Sequence, residues 1–141
     1  MRPQTLLHVL AASATISVLA IAPAGDAQVG LERKTVLQQD LSMPGYETVV
    51  MEVTLAVGGR EGRHTHPGAL IGYILEGEIT LEVEGQPTRV YKPGDVGLIP
   101  AGAVHEGRNT GSVPTKVLAT FIVEKGKPLS TPAQTIDSRD E

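Results

Sequence analysis

Cysteine and tryptophan are both absent from this 141-residue sequence, and phenylalanine occurs once, as Phe121. Without cysteine the chain can form no disulfide bond and offers no thiolate to a metal ion or to thiol chemistry. This absence does not argue against export, but it requires a domain that is stable without a covalent cross-link. Aromatic residues make up only 3% of the sequence, so the core must consist mainly of Val, Ile, Leu and Ala.

Clustered positive charge is also lacking. The net charge is -4, and no group of basic residues is dense enough to follow a phosphate backbone, so no nucleic-acid partner is expected. The length suits one domain. With 16 glycines and 10 prolines, the composition favours short strands joined by tight turns.

The first 27 residues differ in kind from the rest. Arg2 precedes an apolar run over residues 6–22, and small residues follow before a cleavage point between Ala27 and Gln28, or alternatively after Ala24. We interpret residues 1–27 as a signal peptide, with a permanent anchor or a buried helix as the alternatives. This interpretation predicts a secreted or periplasmic protein that has no membrane association after cleavage.

The remaining chain alternates apolar and polar residues with a period of two. In residues 47–57 the odd positions from Val49 to Val57 are apolar, and Ile79, Leu81 and Val83 repeat the pattern. Residues 115–123 are richer in apolar residues, which is typical of a strand covered on both faces. Pro-Gly and Gly-Gly turns separate these segments, so the sequence predicts an all-β sandwich or barrel. The polar segment 124–141 is expected to be a flexible tail or an arm on a neighbouring subunit.

Three of the four histidines lie after the apolar N-terminal run. His64 and His66 are two residues apart, which places both imidazoles on the same face of a strand. His105 follows about forty residues later, after a Pro-Ala-Gly turn. Imidazole is a common metal ligand, so the three side chains could share one ion. By itself, however, a His-x-His pair is more often a solvated strand face than a ligand set.

The spacing around these histidines resembles the two motifs of the cupin superfamily. The first motif is carried by Gly58, His64, His66, Leu70 and Gly77, and the second by Gly94, Pro100, Gly102, His105 and Asn109. The resemblance covers residues 35–123. It implies a single-domain cupin, a small double-stranded β-helix or jelly-roll barrel, with His64, His66 and His105 at a metal-binding mouth.

One position departs from the family pattern. Most metal-binding cupins have a Glu ligand where this chain has Leu70, so the motif supplies three neutral ligands and no carboxylate. Such a set suits Fe, Zn, Cu, Ni or Mn better than Mg or Ca, but it binds more weakly, and an empty site is the alternative.

Residues near the histidines are expected to shape a pocket. Leu70, Gly72 and Ile74 would share the inner face with the histidines and give a partly apolar wall for a small organic ligand, or simply pack as core. Asn109 would return to the inner face and support His105 or its loop by hydrogen bonds. Outward positions are expected for Glu106 and Arg108. A solvated loop is expected for Arg60, Glu61 and Arg63, with the rim of the pocket as the alternative.

Three functions are consistent with these features. The first is a metal-dependent enzyme, of a dioxygenase-like kind, that acts on a small organic substrate. The second is a cupin that binds a metal or a small ligand without turnover, and the third is a structural cupin with vestigial histidines. We also expect a homodimer, because residues 36–41 form an extra strand that could cover an exposed sheet edge of a neighbouring subunit.

Overall fold

A computed structural model describes residues 28–133; the expected signal peptide and residues 134–141 lie outside the described residues. The described chain contains strands and turns but no helix, and therefore no helix able to cross a membrane. The ten strands are β1 (Val29–Asp40), β2 (Tyr46–Arg60), β3 (His64–Thr65), β4 (Ala69–Glu76), β5 (Ile79–Val83), β6 (Arg89–Tyr91), β7 (Val96–Ile99), β8 (His105–Arg108), β9 (Thr115–Glu124) and β10 (Thr131–Pro132).

All strand pairs are antiparallel, and they form one sheet that curls into a nearly closed barrel. The main path runs β10-β3-β8-β2-β9-β4-β7, while β1 adds to β2, and β5 joins β8 to β6. Neighbours along this path are mostly distant in sequence, as in a jelly roll. The predicted all-β, double-stranded β-helix fold is confirmed.

The core lies between the inward-facing residues of β2, β4 and β9. In the β2–β9 pair Val49 faces Phe121 and Val53 faces Val117, and all four side chains are buried. The alternation expected for β2 therefore holds as far as Leu55. Val57 instead is 57% exposed. Strand β9 also alternates and is buried on one face, not on both as its composition suggested.

Both ends of the described chain are more ordered than expected. Strand β1 begins at Val29, before the expected segment 36–41, and pairs with β2 along most of its length. At the other end the chain turns back after Glu124, and β10 pairs with β3 beside His64. The expectation of a flexible tail is therefore wrong for residues 125–133, because their backbone hydrogen-bonds to the barrel.

Gly68 brings the histidine-bearing loop close to the core. A Cβ atom at this position would overlap the backbone carbonyl of Ile122 in β9. Only glycine lets the two backbones approach so closely. The approach fixes where β4 starts, and with it the positions of His66 before Gly68 and Leu70 after it.

Candidate metal centre

The structure brings the three predicted histidines together. His64 opens β3, His105 opens β8, and the two are paired residues of adjacent strands. His66 follows β3 by one residue. All three are buried, their ring centroids are 4.2–4.8 Å apart, and their candidate ligand atoms lie within 4.8 Å of one another. Strand pairing of residues far apart in sequence thus builds one compact cluster of imidazoles.

Backbone carbonyls fix the tautomer of each ring. Each Nδ1 lies 2.6–2.9 Å from a carbonyl oxygen, that of Gly62 for His64, Leu129 for His66 and Ala103 for His105. Because a carbonyl oxygen only accepts hydrogen bonds, each Nδ1 must carry the proton. In its neutral form, a ring held in this way keeps an unprotonated Nε2 with a free lone pair, which is the form that binds metals.

The protonation state of the cluster also favours a metal. Burial lowers the pKa of His66 to about 4 and that of His105 to about 3, against a backbone hydrogen bond that acts in the opposite direction in each case. Both imidazoles are therefore neutral at pH 7. The Nε2 of His105 is buried and has no hydrogen-bond partner in the described part of the chain. An unpaired buried acceptor is costly, and a divalent ion would satisfy it, so these residues fit a metal ion.

No carboxylate belongs to the cluster within residues 28–133. The motif position that could have supplied one is Leu70, which packs against the hydrophobic core instead. Three neutral nitrogen donors suit Zn, Cu, Ni, Fe or Mn, and hard oxygen-seeking ions such as Mg and Ca are poorly matched to them.

A small cavity of about 60 Å³ lies inside the barrel. Leu70, Gly72 and Ile74 line it, but they do not share this wall with the histidines as the sequence predicted. The three histidines are not among its lining residues. The cavity is therefore lined by a different set of residues from the histidine cluster, and Leu70 and Glu61 belong to the cavity wall.

Glu61 is the residue that the sequence analysis misplaced most clearly. It was assigned to a solvated loop, but its side chain lines the cavity. Burial raises the pKa of its carboxyl group, while His64 lies near enough to oppose that shift electrostatically. Strand alternation could not have indicated this position, because the inward series of β2 ends at Leu55, Val57 is exposed, and Glu61 follows the last residue of the strand. The preceding Gly58-Gly59 pair is instead typical of a turn.

Two further expectations were wrong. Glu106 was expected to face solvent, yet it is 1% exposed, because the guanidinium of Arg108 covers it with an ion pair of 2.6 Å. Asn109 does not line the cavity. Its amide donates to the carbonyls of Leu55 and Val113, and its oxygen accepts the N–H of Gly111. All its polar atoms are thus used to hold the loop after β8, which agrees with the loop-supporting role considered for it.

A family model described as the cupin domain matches residues 51–128, which is more than half of the chain. The chain belongs to the cupin family. The match includes all three histidines and the cavity-lining Glu61.

Individual relatives agree with this assignment. Germin-like protein subfamily 2 member 1 of Arabidopsis thaliana is 36% identical over 91 residues, which cover 57% of this chain and 41% of that protein. The crystal structure of a cupin-like protein from Thermotoga maritima superposes with a TM-score of 0.63 at 21% identity, covering 77% and 79% of the two chains. The DMSP lyase DddQ from Ruegeria pomeroyi DSS-3 gives a TM-score of 0.55 at 28% identity, covering 61% and 43%. The present chain spans about two fifths of the length of the curated relative.

Proposed function

We propose that this cupin binds one divalent transition-metal ion through the Nε2 atoms of His64, His66 and His105, and acts on a small organic molecule held in the adjoining cavity. The observation that carries the proposal is the tautomer pattern: three backbone carbonyls leave three lone pairs in one buried cluster. A solvated or vestigial set of histidines would not need this common orientation.

The proposed chemistry is dioxygenase-like. Three neutral imidazoles would leave a divalent ion with its full charge and with one to three open coordination positions, where it would polarise bound oxygen ligands as a Lewis acid. The protein itself contributes exclusion of water. The histidines are at most 5% exposed, and the cavity wall beside them is mainly apolar. Fe, Ni, Cu or Mn would suit oxygen chemistry, and Zn would suit hydrolysis or isomerisation.

A non-catalytic binding protein is the second candidate, and one observation favours it. None of the three histidines lines the cavity, and Glu61 is the one carboxyl group among the described lining residues. A site that only holds a metal or a small ligand needs no further acid or base. Oxygen uptake by the metal-loaded protein, tested against a panel of small organic molecules, would distinguish an enzyme from a binding protein.

The metal assignment is tested by measuring bound metal per subunit in protein made without a histidine tag. After loading and dialysis we expect close to one equivalent in the native protein and less than a tenth of that in His66→Ala. Thr65→Ala is the matched control, because Thr65 lies between two of the proposed ligands but offers no imidazole. Metal content that is unchanged in His66→Ala, or absent from the native protein after exposure to each ion, would refute the assignment.

Export is a second part of the proposal. It rests on the N-terminal sequence alone, where Arg2, the apolar run and the small residues near Ala27 have the order of a signal peptide. N-terminal sequencing of protein recovered from the periplasm or the medium should find Gln28, or Gly25 for the alternative cleavage. Recovery of the intact chain from the cytosol would contradict it.

We also propose a homodimer, through the apolar outer face of the barrel rather than through residues 36–41. On this face Ile71 pairs with Leu98 and Tyr73 with Val96, and all four side chains are exposed. Strand β7 ends the sheet path at this side. A contiguous exposed apolar face at a sheet edge is typical of a subunit interface, and a twofold axis lets it cover its own copy. Light scattering should give a dimer for the native protein and a monomer for Leu98→Asp.

A further inference from the structure

Glu61 is held in a fixed position inside the barrel. Its backbone N–H donates to the carbonyl of Gly107 at 3.0 Å, and its Oε2 accepts the N–H of the same residue at 3.1 Å. A Cβ atom at position 107 would lie 2.6 Å from that Oε2. The glycine in β8 therefore provides the space that the carboxyl group occupies, and strand pairing sets the direction in which the carboxyl group points.

The rest of the cavity wall offers little to a polar ligand. Leu70, Ile74, Ile79 and Ile99 are among its lining residues, and its exposed surface is mostly apolar. No Lys, Arg or His is found among the described residues that line it. Glu61 supplies the one carboxyl group of this wall, and Tyr91 is the other lining residue with a polar side-chain atom. A few polar groups in a mainly apolar wall are the arrangement by which a site fixes the orientation of a small ligand.

The chemistry of this wall selects among ligand charges. An anion would meet the carboxyl group with no cation to balance it, and a cation would lose its hydration shell in an apolar cavity. A hydroxyl group has neither difficulty. It donates to an ionised carboxylate and accepts from a protonated carboxyl group, so it is matched to Glu61 in both protonation states. This versatility matters because burial raises the pKa of Glu61.

We propose that Glu61 anchors the ligand of this cavity by a hydrogen bond, and that the ligand is a small, neutral, mainly apolar molecule with a hydroxyl group. This inference rests on the function proposed above, because it names the class of molecule for the same cavity. At roughly 10–15 Å³ for each water-sized sphere, a 60 Å³ cavity accommodates about four to six non-hydrogen atoms.

Three probes of similar shape test the ligand class: isobutanol, isobutylamine and isobutyrate. Each is titrated at pH 7 into the metal-free full chain, and binding is followed by NMR at the backbone amide of Gly107, which reports directly on the Glu61 carboxyl group. We expect isobutanol to bind most tightly and isobutyrate at least tenfold more weakly. A probe order in which the amine or the carboxylate binds best would overturn the proposal.

Variants test the anchor. Glu61→Gln should keep isobutanol affinity within about twofold, because an amide also donates and accepts, whereas Glu61→Leu should weaken it about fivefold through loss of one hydrogen bond. Glu76→Leu is the matched control, since it removes the same charge from an exposed position on β4. Equal affinity in Glu61→Leu and Glu76→Leu would refute the anchoring role.

The variant Gly72→Val tests whether isobutanol binds in this cavity. A Cβ atom there would make an ordinary contact with Val117 at 3.5 Å, so a larger side chain can enter the cavity without displacing backbone. Isobutanol binding should be lost in this variant, and its persistence would place the probe elsewhere and overturn the proposal. All these titrations are made without metal. A failed metal assignment and a failed ligand class therefore give separate results, the first in metal content and the second in probe order.

Discussion

Lowering the pH from 7 to 5 should destabilise the metal-free protein by about 3–4 kcal/mol through His66 and His105 alone. Burial holds the pKa of these two imidazoles at about 4 and about 3, against roughly 6.5 in the unfolded chain. Over this pH range the unfolded state takes up protons at both positions and the native state does not. Stability is therefore present above pH 6.5 and is lost as the pH falls toward the native pKa values.

The magnitude follows from the proton uptake of the unfolded chain. In the unfolded chain each imidazole has a pKa of about 6.5. Proton uptake by one such imidazole stabilises the unfolded chain by about 1.9 kcal/mol between pH 7 and pH 5, which is about 1.4 pKa units at 1.36 kcal/mol per unit. A native pKa of about 4 or below offsets less than about 0.1 kcal/mol of this. Glu61 acts in the opposite direction, because its raised native pKa means that the native state gains protons more readily than the unfolded chain as the pH falls.

Urea denaturation at pH 7, 6 and 5, at constant ionic strength and with a chelator present, measures the effect. His66→Gln should reduce the loss by about 1.5–2 kcal/mol, because the glutamine amide can still donate to Leu129 but does not titrate. Glu61→Gln should increase the loss, because the opposing carboxyl group is removed. Losses between pH 7 and pH 5 that are equal within about 0.5 kcal/mol in the native protein and in His66→Gln would refute the argument that the His66 imidazole is buried and neutral.

Three further substitutions test the core and the site. Leu70→Glu should raise metal affinity about tenfold or more by adding an anionic donor, and metal titration measures this effect. The same change should lower metal-free stability, measured by urea denaturation, by about 2–4 kcal/mol, because a charge replaces a leucine that packs against the core. Unchanged metal affinity would mean that position 70 does not face the ion. Gly68→Ala should cost about 1–3 kcal/mol because its Cβ meets the Ile122 carbonyl, whereas Gly72→Ala in β4 should be close to neutral; equal melting temperatures would contradict this account. Leu55→Ala, at a fully buried position, should cost about 2–5 kcal/mol, while Val57→Ala, 57% exposed, should cost less than about 0.5 kcal/mol, and similar losses for both would be inconsistent with the β2 register.

The strands could be predicted because a period of two in β2 and β5 fixes which face is buried, and Val49, Val53 and Ile79 lie inward as the pattern required. The histidine cluster could be predicted because motif spacing specifies strand pairing as well as residue type. The hydrogen bonds that orient the histidine rings could not be predicted. The carbonyl that orients His66 belongs to Leu129, and nothing in a polar, proline-containing segment indicates that its backbone returns to the barrel.

The burial of charged residues also could not be predicted from the sequence. Alternation with His105 along β8 predicted an exposed Glu106, but this side chain is 1% exposed and forms an ion pair with Arg108. Alternation gives the direction of a side chain, and it does not show what covers that side chain. Glu61 is a second charged residue whose location, on the cavity wall, could not be predicted. It lies beyond the point at which the alternation of β2 ends, and a charged residue close to two glycines has the composition of an exposed turn.

Leu70 and Glu61 determine where a carboxyl group is available to a ligand in this chain. The family position for a carboxylate ligand is apolar here, and a carboxyl group stands instead on the cavity wall, anchored to Gly107 and outside the histidine cluster. On the proposed assignment, an ion held by three neutral donors would keep its positive charge and polarise an oxygen atom of a neutral ligand, while the cavity wall would contact the apolar part of that ligand. The two compartments would therefore select different parts of one ligand. For this reason the preference of the cavity must be measured without metal, where Glu61 acts alone.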